Sequence, residues 1–434
     1  MSAIALALHT IVSGPSPATV EIAGAQMAGN APRTIAWSDL STTHVDAGHW
    51  TVRWDAPAAD AIEIPPCAGR GRVSVGGVAY APPAGPFVIR SAAPSPRRVE
   101  MEITVSGYEQ RIACGFAPRA GTASDSRDGL STLAFSSPAS LGGHAVVFVP
   151  TGHDTKTAGA VLVGLHPWDG SPWTYASYAE LIAAAQKEDV VLLFPSGLGN
   201  SLYVRAAEDE VVRAMDALGQ AIAVDPRRLS IWGASMGGAG ATTIGLHRPD
   251  RFASITSLFG DSKYDLGTYV KSILPTPAAA HAVDSLDLAP NARHVPIWLI
   301  HGEADRVSPI EQSAMLARAL EKLHYTVRFD RVPDLGHAGA LVAKSAAEVV
   351  HRAATMRSPA RPSRVTFTSA RDEDVSAYGV TLVRAAPGDA SIDIELAAGA
   401  VRVLASHNVK EIVLAKGALG TTGTESITGP ARFE

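Results

Sequence analysis

Three residues far apart in the 434-residue chain could together do nucleophilic chemistry: Ser235, Asp305 and His337. A serine hydroxyl is a weak nucleophile on its own. It needs a base within hydrogen-bond reach, and the base needs an acid to fix its tautomer. Ser235 lies in Gly233-Ala-Ser235-Met-Gly237-Gly238, a G-x-S-x-G run. Such a run is short enough to arise by chance, so its setting carries the argument. It follows the apolar run Leu229-Ser-Ile-Trp232 and opens a helix-compatible stretch with Ala239, Ala241, Ile244 and Leu246. A serine on a strained strand-to-helix turn needs neighbours almost free of side chain, and Gly233, Gly237 and Gly238 supply them. The helix N-terminus then points its dipole and its free N–H groups at a developing oxyanion. The bland alternative is a glycine-rich helix entry with a capping serine.

The partners are expected later in the chain, in the order serine, acid, histidine. Ile300-His-Gly-Glu-Ala-Asp305 follows an apolar run, which puts Asp305 in a strand-end loop. Glu303 is the fallback acid. Val332-Pro-Asp-Leu-Gly-His337 follows the next strand and precedes a helical period, which makes His337 the expected base. The intervals fit one or two βα units each. Two donors are expected in the oxyanion hole: the Met236 N–H beside the nucleophile, and one from the loop His166-Pro167-Trp168-Asp169-Gly170. Pro167 has no N–H, so Trp168 is the expected second donor. His166 is better read as a brace for that loop than as a reacting group. Trp168, Trp173 and Tyr175 cluster nearby and either wall an acyl pocket or simply pack. No metal or organic cofactor is implied.

These residues need elements to hold them. From Leu130 onward, apolar strand candidates alternate with helical periods. The strands are Ala145–Val149, Ala160–Leu165, Val190–Phe194, Leu229–Trp232, Ile255–Phe259, Ile297–Ile300 and Val327–Val332. Continuous apolar strands separated by helices imply a mostly parallel sheet with helices on both faces. Tyr175, Tyr178, Leu181, Ile182 and Ala185 share one helical face, and Val211, Val212, Met215, Leu218 and Ile222 another. A further helix opens with Ser308-Pro309-Ile310-Glu311, where Ser308 can cap and Glu311 completes a capping box.

The flanks read differently. Before Leu130, short β-rich runs alternate with turn residues. In Arg98–Val105, Val99, Met101, Ile103 and Val105 face one way and Arg98, Glu100, Glu102 and Thr104 the other, as in a strand with one wet face. Residues 1–128 are expected to form an antiparallel β-sandwich that ends in the small, polar linker Ala120–Gly129. The Pro-rich break Arg357–Ser363 closes the α/β region at 129–357. Residues 358–434 are expected to form a small β domain with strands at Val365–Thr368, Ser391–Leu396, Ala400–Leu404 and Glu411–Leu414. The small, polar stretch from about Gly420 onward is expected to be loose.

Composition narrows the functional classes. Hydrophobic residues make up 46% and charged residues 18%, which excludes a disordered chain. Lys and Arg number 37 against 42 Asp and Glu, with no basic run, so a nucleic-acid surface built on bulk charge is not expected. No apolar stretch reaches the ~18 residues that span a bilayer. Cys67 and Cys114 sit in no metal-binding spacing, and one bridge or two buried thiols are both open. Ala3–Leu8 is apolar but no Lys or Arg precedes it, so a cytoplasmic location is favoured over export.

At these motifs the chain resembles the α/β-hydrolase superfamily. More narrowly it resembles the prolyl-oligopeptidase-like serine hydrolases, with their peptidases, polyhydroxybutyrate-depolymerase-like esterases and feruloyl or acetylxylan esterases. The likeness runs from about Leu130 to Met356. It is most specific in Glu208-Asp209, Val224-Asp-Pro-Arg-Arg-Leu229, Gly233–Gly238 and Arg248-Pro-Asp-Arg-Phe252. It implies the triad Ser235, Asp305 and His337 acting through an acyl-enzyme. The family's usual His-Gly oxyanion dipeptide is His166-Pro167 here, a departure at the hole itself. The long β-propeller of true oligopeptidases has no room in residues 1–128. Glu208 and Asp209 read as helix-start acids rather than anchors for a substrate amine. Esters also have a lower barrier to acyl transfer than amides. The expected substrate is therefore a small-molecule or oligomeric ester. Alternatives are a peptidase of this type, an acyltransferase or cyclase using the same triad, and a non-catalytic carbohydrate- or protein-binding module.

Overall fold

The computed structural model describes residues 9–10, 19–24, 32–36, 40, 43, 45–56, 61–64, 67, 70–80, 87–90, 96–105, 112, 129–135, 143–264, 270–373 and 375–434. Ala3–Leu8, Cys114 and all of the expected linker but Gly129 lie outside them. The chain forms two compact units.

The first unit holds residues 1–157, 166–187 and 191–223. Its N-terminal part is an antiparallel sheet ordered Arg33–Ala36, Thr19–Gly24, Gly48–Ala56, Arg97–Val105, Arg70–Val75, Val78–Tyr80. The alternation seen in the sequence sets its faces. Val99, Met101, Ile103 and Val105 are buried with Trp50, Val52 and Trp54. The other face carries charge, with Arg53 between Glu21 and Glu100 at 3.2 and 3.1 Å. The ribbon of Ala61–Ile64 and Phe87–Arg90 adds Ile62, Ile64 and Ile89 to the same core. Cys67, also in that core, is disulfide-bonded. The unit continues with antiparallel strands Leu130–Phe135, Gly143–Phe148 and Val190–Pro195, and with helices α1 (Ala179–Glu188) and α2 (Ala206–Ala221). Tyr175 and Tyr178 precede α1 in a single tight turn instead of sharing its face.

The second unit holds residues 158–165, 188–190 and 224–434. Five of its strands run in parallel in the order Gly159–Leu165, Val224–Ala234, Ser254–Leu258, Ile297–Gly302, Val327–Val332. The strands Ser254–Leu258 and Ile297–Gly302 are buried at every residue, as a sheet covered on both faces requires. Helices α3 (Met236–His247) and α6 (Ala340–Thr355) both pack on its first three strands. The short α4 (Pro277–His281) is capped by the Thr276 side chain, which accepts from the Ala279 N–H. Helix α5 (Glu311–Lys322) follows the fourth strand. The expected capping box at its start does not form. Ser308 lies before the helix and donates its hydroxyl to Asp261 at 2.6 Å.

Beyond α6 two four-stranded sheets share a core of Val365, Phe367, Leu382, Ile392, Ile394 and Ile412. They are joined to the parallel region by directed bonds. Buried Asn291 donates to Leu246 O and Thr368 O and accepts from Thr368 N. Tyr378 donates its hydroxyl to Pro249 O at 2.8 Å. The stretch expected to be loose is ordered by pairing. Ser426–Thr428 runs parallel to Ala400–His407, and Ala431–Phe433 parallel to Val409–Leu414. Among the described residues no helix is long and apolar enough to cross a membrane.

Candidate active site

Ser235 sits between the end of the strand Val224–Ala234 and the start of α3. Its backbone is at φ 56° and ψ −123°, a conformation costly for a residue with a side chain. The strain is held in place. Ser235 N donates to Leu258 O at 2.9 Å, and Ser235 O accepts from Ala239 N at 3.0 Å. Gly233 permits the turn by close approach: a Cβ there would lie 2.3 Å from Gly237 O and 2.6 Å from Leu165 O. Ser235 remains partly open to solvent, although Leu229–Ala234 and α3 are buried. Met236 opens α3, so its N–H is one of the first-turn amides left without an acceptor inside the helix.

The acid and base arrive on the next two loops. Asp305 follows the strand Ile297–Gly302, and His337 follows Val327–Val332. The loops are bonded together: Glu303 N donates to Val332 O at 3.0 Å and Ala304 N to Leu335 O at 2.9 Å. The Asp305 carboxylate is fully buried. Its Oδ1 accepts from the N–H groups of Val307 and Ser308 at 2.8 and 3.0 Å. Its Oδ2 faces His337 Nδ1 at 2.8 Å. With an ionised acid on that side, Nδ1 carries the proton and Nε2 is left as the acceptor. His337 Nε2 stands 2.8 Å from Ser235 Oγ, so the hydroxyl donates to it. Serine, histidine and aspartate are thus hydrogen-bonded in sequence, the arrangement that moves a proton off a nucleophile. Glu303, the fallback acid, is instead paired with Arg331 at 2.9 Å.

A second histidine lies behind the acid. His301 is fully buried, donates from Nε2 to Ser308 O at 2.8 Å and accepts at Nδ1 from the Ser313 hydroxyl. Burial pushes its pKa down, which keeps the ring neutral beside Asp305.

The loop read as the source of the second oxyanion donor belongs to the first unit. His166 is 1% exposed, with Nδ1 and Nε2 each 2.9 Å from a backbone carbonyl, Pro167 O and Ser196 O. Burial lowers its pKa. Asp169 N donates to Asn200 Oδ1, and Asn200 Nδ2 donates back to Asp169 Oδ1. Trp168 is half-buried. Trp173 and Tyr175 are buried, and the Tyr175 ring packs 5.9 Å from Phe194. Their burial favours packing over a pocket wall. Glu208 and Glu210, in the first turns of α2, are each only 1% exposed. Burial of Glu208 had no signal in the sequence beyond its place in a helix start.

Sequence reasoning missed Phe259. Its ring lies 4.6 Å from the His337 ring. It belongs to no motif, and the only signal for it was its place at the end of a strand beside the nucleophile's.

A parallel sheet with a strained serine between strand and helix, and an acid and a histidine on later strand ends, defines an α/β-hydrolase. The model of the prolyl oligopeptidase family matches residues 202–357, and the site is that of a serine hydrolase. Comparison with curated proteins finds no match. Among solved structures it is similar to an S-formylglutathione hydrolase from Agrobacterium tumefaciens. The identity is 18% over 52% of this chain and 95% of that one, with a TM-score of 0.45. A ferulic acid esterase gives 16% over 52% and 98%, with a TM-score of 0.44. Pyrococcus horikoshii acylaminoacyl peptidase gives 20% over 52% and 40%, with a TM-score of 0.43.

Proposed function

We propose that the protein hydrolyses a carboxylic ester through an acyl-enzyme on Ser235. The observation that carries this reading is the chain of 2.8 Å contacts from Ser235 Oγ through His337 to Asp305. His337 takes the Ser235 proton as Oγ attacks the ester carbonyl, then gives it to the leaving alcohol. A water deprotonated by His337 attacks the acyl-enzyme and releases the acid. Asp305 holds the imidazole tautomer and stabilises the imidazolium. The Met236 N–H stabilises the oxyanion; such a donor contributes about 3 kcal/mol. The substrate is a small-molecule or oligomeric ester. The supporting arrangement is a hydrolase domain at 129–357, an N-terminal β-sandwich at 1–128 and a small β domain at 358–434.

Esters need less activation than amides, and buried Glu208 is poorly placed to meet a substrate amine. The family match itself favours a second reading, a peptidase. A panel of acetyl, butyryl, feruloyl and peptidyl substrates, run on wild type and Ser235→Ala, separates them. Ester turnover that vanishes with Ser235 supports the proposal. Faster cleavage of peptidyl amides than of matched esters would overturn it in favour of the peptidase. Absence of Ser235-dependent labelling by a fluorophosphonate would remove both.

A further inference from the structure

The loop that follows the strand Ser254–Leu258 carries no part of the proposed chemistry, yet each of its first three residues touches a different part of the machinery. Phe259 is 3% exposed and its ring stands 4.6 Å from the His337 ring at an interplanar angle of 64°. Gly260 lies against the nucleophile's helix: a Cβ there would come 2.3 Å from Ala239 N and 2.4 Å from Gly238 C. Asp261 Oδ1 accepts the Ser308 hydroxyl at 2.6 Å, and the Ser308 N–H is one of the two that hold Asp305 Oδ1. The base, the nucleophile's helix and the turn that holds the acid are thus each met by one residue of Phe259-Gly260-Asp261.

The loop is also strained and clamped. Phe259 has φ 41°, a region bulky side chains rarely occupy. Such strain persists only where the surroundings over-determine it. Here Phe259 N donates to Ile300 O at 2.8 Å, and the preceding carbonyl, Leu258 O, accepts from Ser235 N. On the far side Gln312 of α5 accepts from Ser262 N and Lys263 N and donates to Lys263 O. A segment that only linked a strand to the next element would have no need of this geometry.

We propose that Phe259-Gly260-Asp261 is a positioning brace that sets the mutual geometry of Ser235, Asp305 and His337. Phe259 holds the plane of the His337 imidazole, and Asp261 holds, through Ser308, the turn that presents Asp305. The inference rests on the triad reading above. Misplacing a reacting group by about 1 Å can cost a hundredfold in rate without weakening substrate binding.

The test uses the full chain with p-nitrophenyl acetate and four variants: Phe259→Leu, Phe259→Tyr, Asp261→Ala and Asp261→Asn. Unfolding temperature is measured for each. Phe259→Leu and Asp261→Ala are expected to lower kcat by about tenfold to a hundredfold, with KM changed by less than about threefold. Phe259→Tyr, which keeps a ring, and Asp261→Asn, which keeps an oxygen for the Ser308 hydroxyl, are expected to recover most of that loss. The brace is overturned if both disruptive variants keep wild-type kcat. It is equally overturned if kcat falls only in step with the folded fraction, or if the conservative partners lose as much as the disruptive ones. Fluorophosphonate labelling of wild-type Ser235 judges the triad separately. Labelling with unaltered variants removes only the brace, whereas no labelling removes the reading on which it rests.

Discussion

Two regions of the second unit hold non-glycine residues at left-handed φ, and they do so for opposite reasons. In the C-terminal sheets Tyr378 and Ala398 do so, at 54° and 51°. Ala398 and Gly399 form a two-residue turn between paired Ala397 and Ala400, and Tyr378 and Gly379 one between Ala377 and Val380. Both central residues of such hairpins need positive φ, because that twist matches the strands. At the ends of two neighbouring parallel strands Ser235 and Phe259 do so, at 56° and 41°. No hairpin asks for their conformation. Contacts from distant segments impose it, and both residues meet His337. Strain explained by its own turn is architecture, whereas strain imposed from a distance marks where the fold is arranged for chemistry.

The largest expected effect breaks the chemistry and leaves the fold. Ser235→Ala or His337→Ala should lower kcat by about four to six orders of magnitude, with the unfolding temperature near wild type. Asp305→Asn should cost about four orders, through the wrong histidine tautomer. Steady-state ester hydrolysis beside a thermal melt checks all three. A variant retaining a tenth of the rate would mean the 2.8 Å contacts are incidental.

Next comes the backbone that permits the strain. Gly233→Ala places a methyl carbon within 2.3 Å of Gly237 O, where neither side can yield easily. A loss of about 1–3 kcal/mol or more is expected, together with most activity. Ala398→Gly makes the contrasting change in the hairpin. It removes a residue held at φ 51° and should stabilise the protein by up to about 1 kcal/mol with kcat unchanged. Urea titration of the two variants tests the contrast. Equal and small changes in both would erase the distinction between imposed and local strain.

The same distinction explains what could be read in the sequence. The Ser235 elbow was legible because its backbone demand is written beside it, in Gly233, Gly237 and Gly238. Asp305 and His337 were legible from chain order and strand ends. The parallel strands and the alternation of Arg97–Val105 followed from burial on two faces or one. Three of the failures involve a distant partner. Ser308 looked like a helix cap until Asp261, far back in the chain, took its hydroxyl. Residues 426–433 looked loose because the pairing that orders them comes from Ala400–His407 and Val409–Leu414. Phe259 has no motif because its demand is satisfied by Ile300 and His337, not by its neighbours.

The smallest expected effect lies where the two regions meet. His281, at the end of α4, has Nδ1 2.7 Å from Asp287 Oδ2 and Nε2 2.8 Å from Asp389 Oδ2, and Asp389 belongs to the C-terminal sheets. Lys263 stands 3.8 Å from the same Asp287 oxygen and 3.7 Å from Asp284. Both ring nitrogens can donate only when the imidazole is charged. The hydrogen bond to Asp389 is the largest cause raising the His281 pKa above 6.5; burial opposes it and Asp287 adds to it. A folded-state pKa above the unfolded value means the contribution is complete below about pH 6.5 and disappears as pH rises through the raised value. The side chain is 40% exposed, so solvent and salt screen the effect. Wild type should therefore lose a little stability from mildly acidic to mildly alkaline pH, and His281→Gln should lack that component. Denaturant titrations across that range at low and high salt measure it. Parallel profiles for the two proteins at low salt would show that this bridge does not fasten the C-terminal sheets.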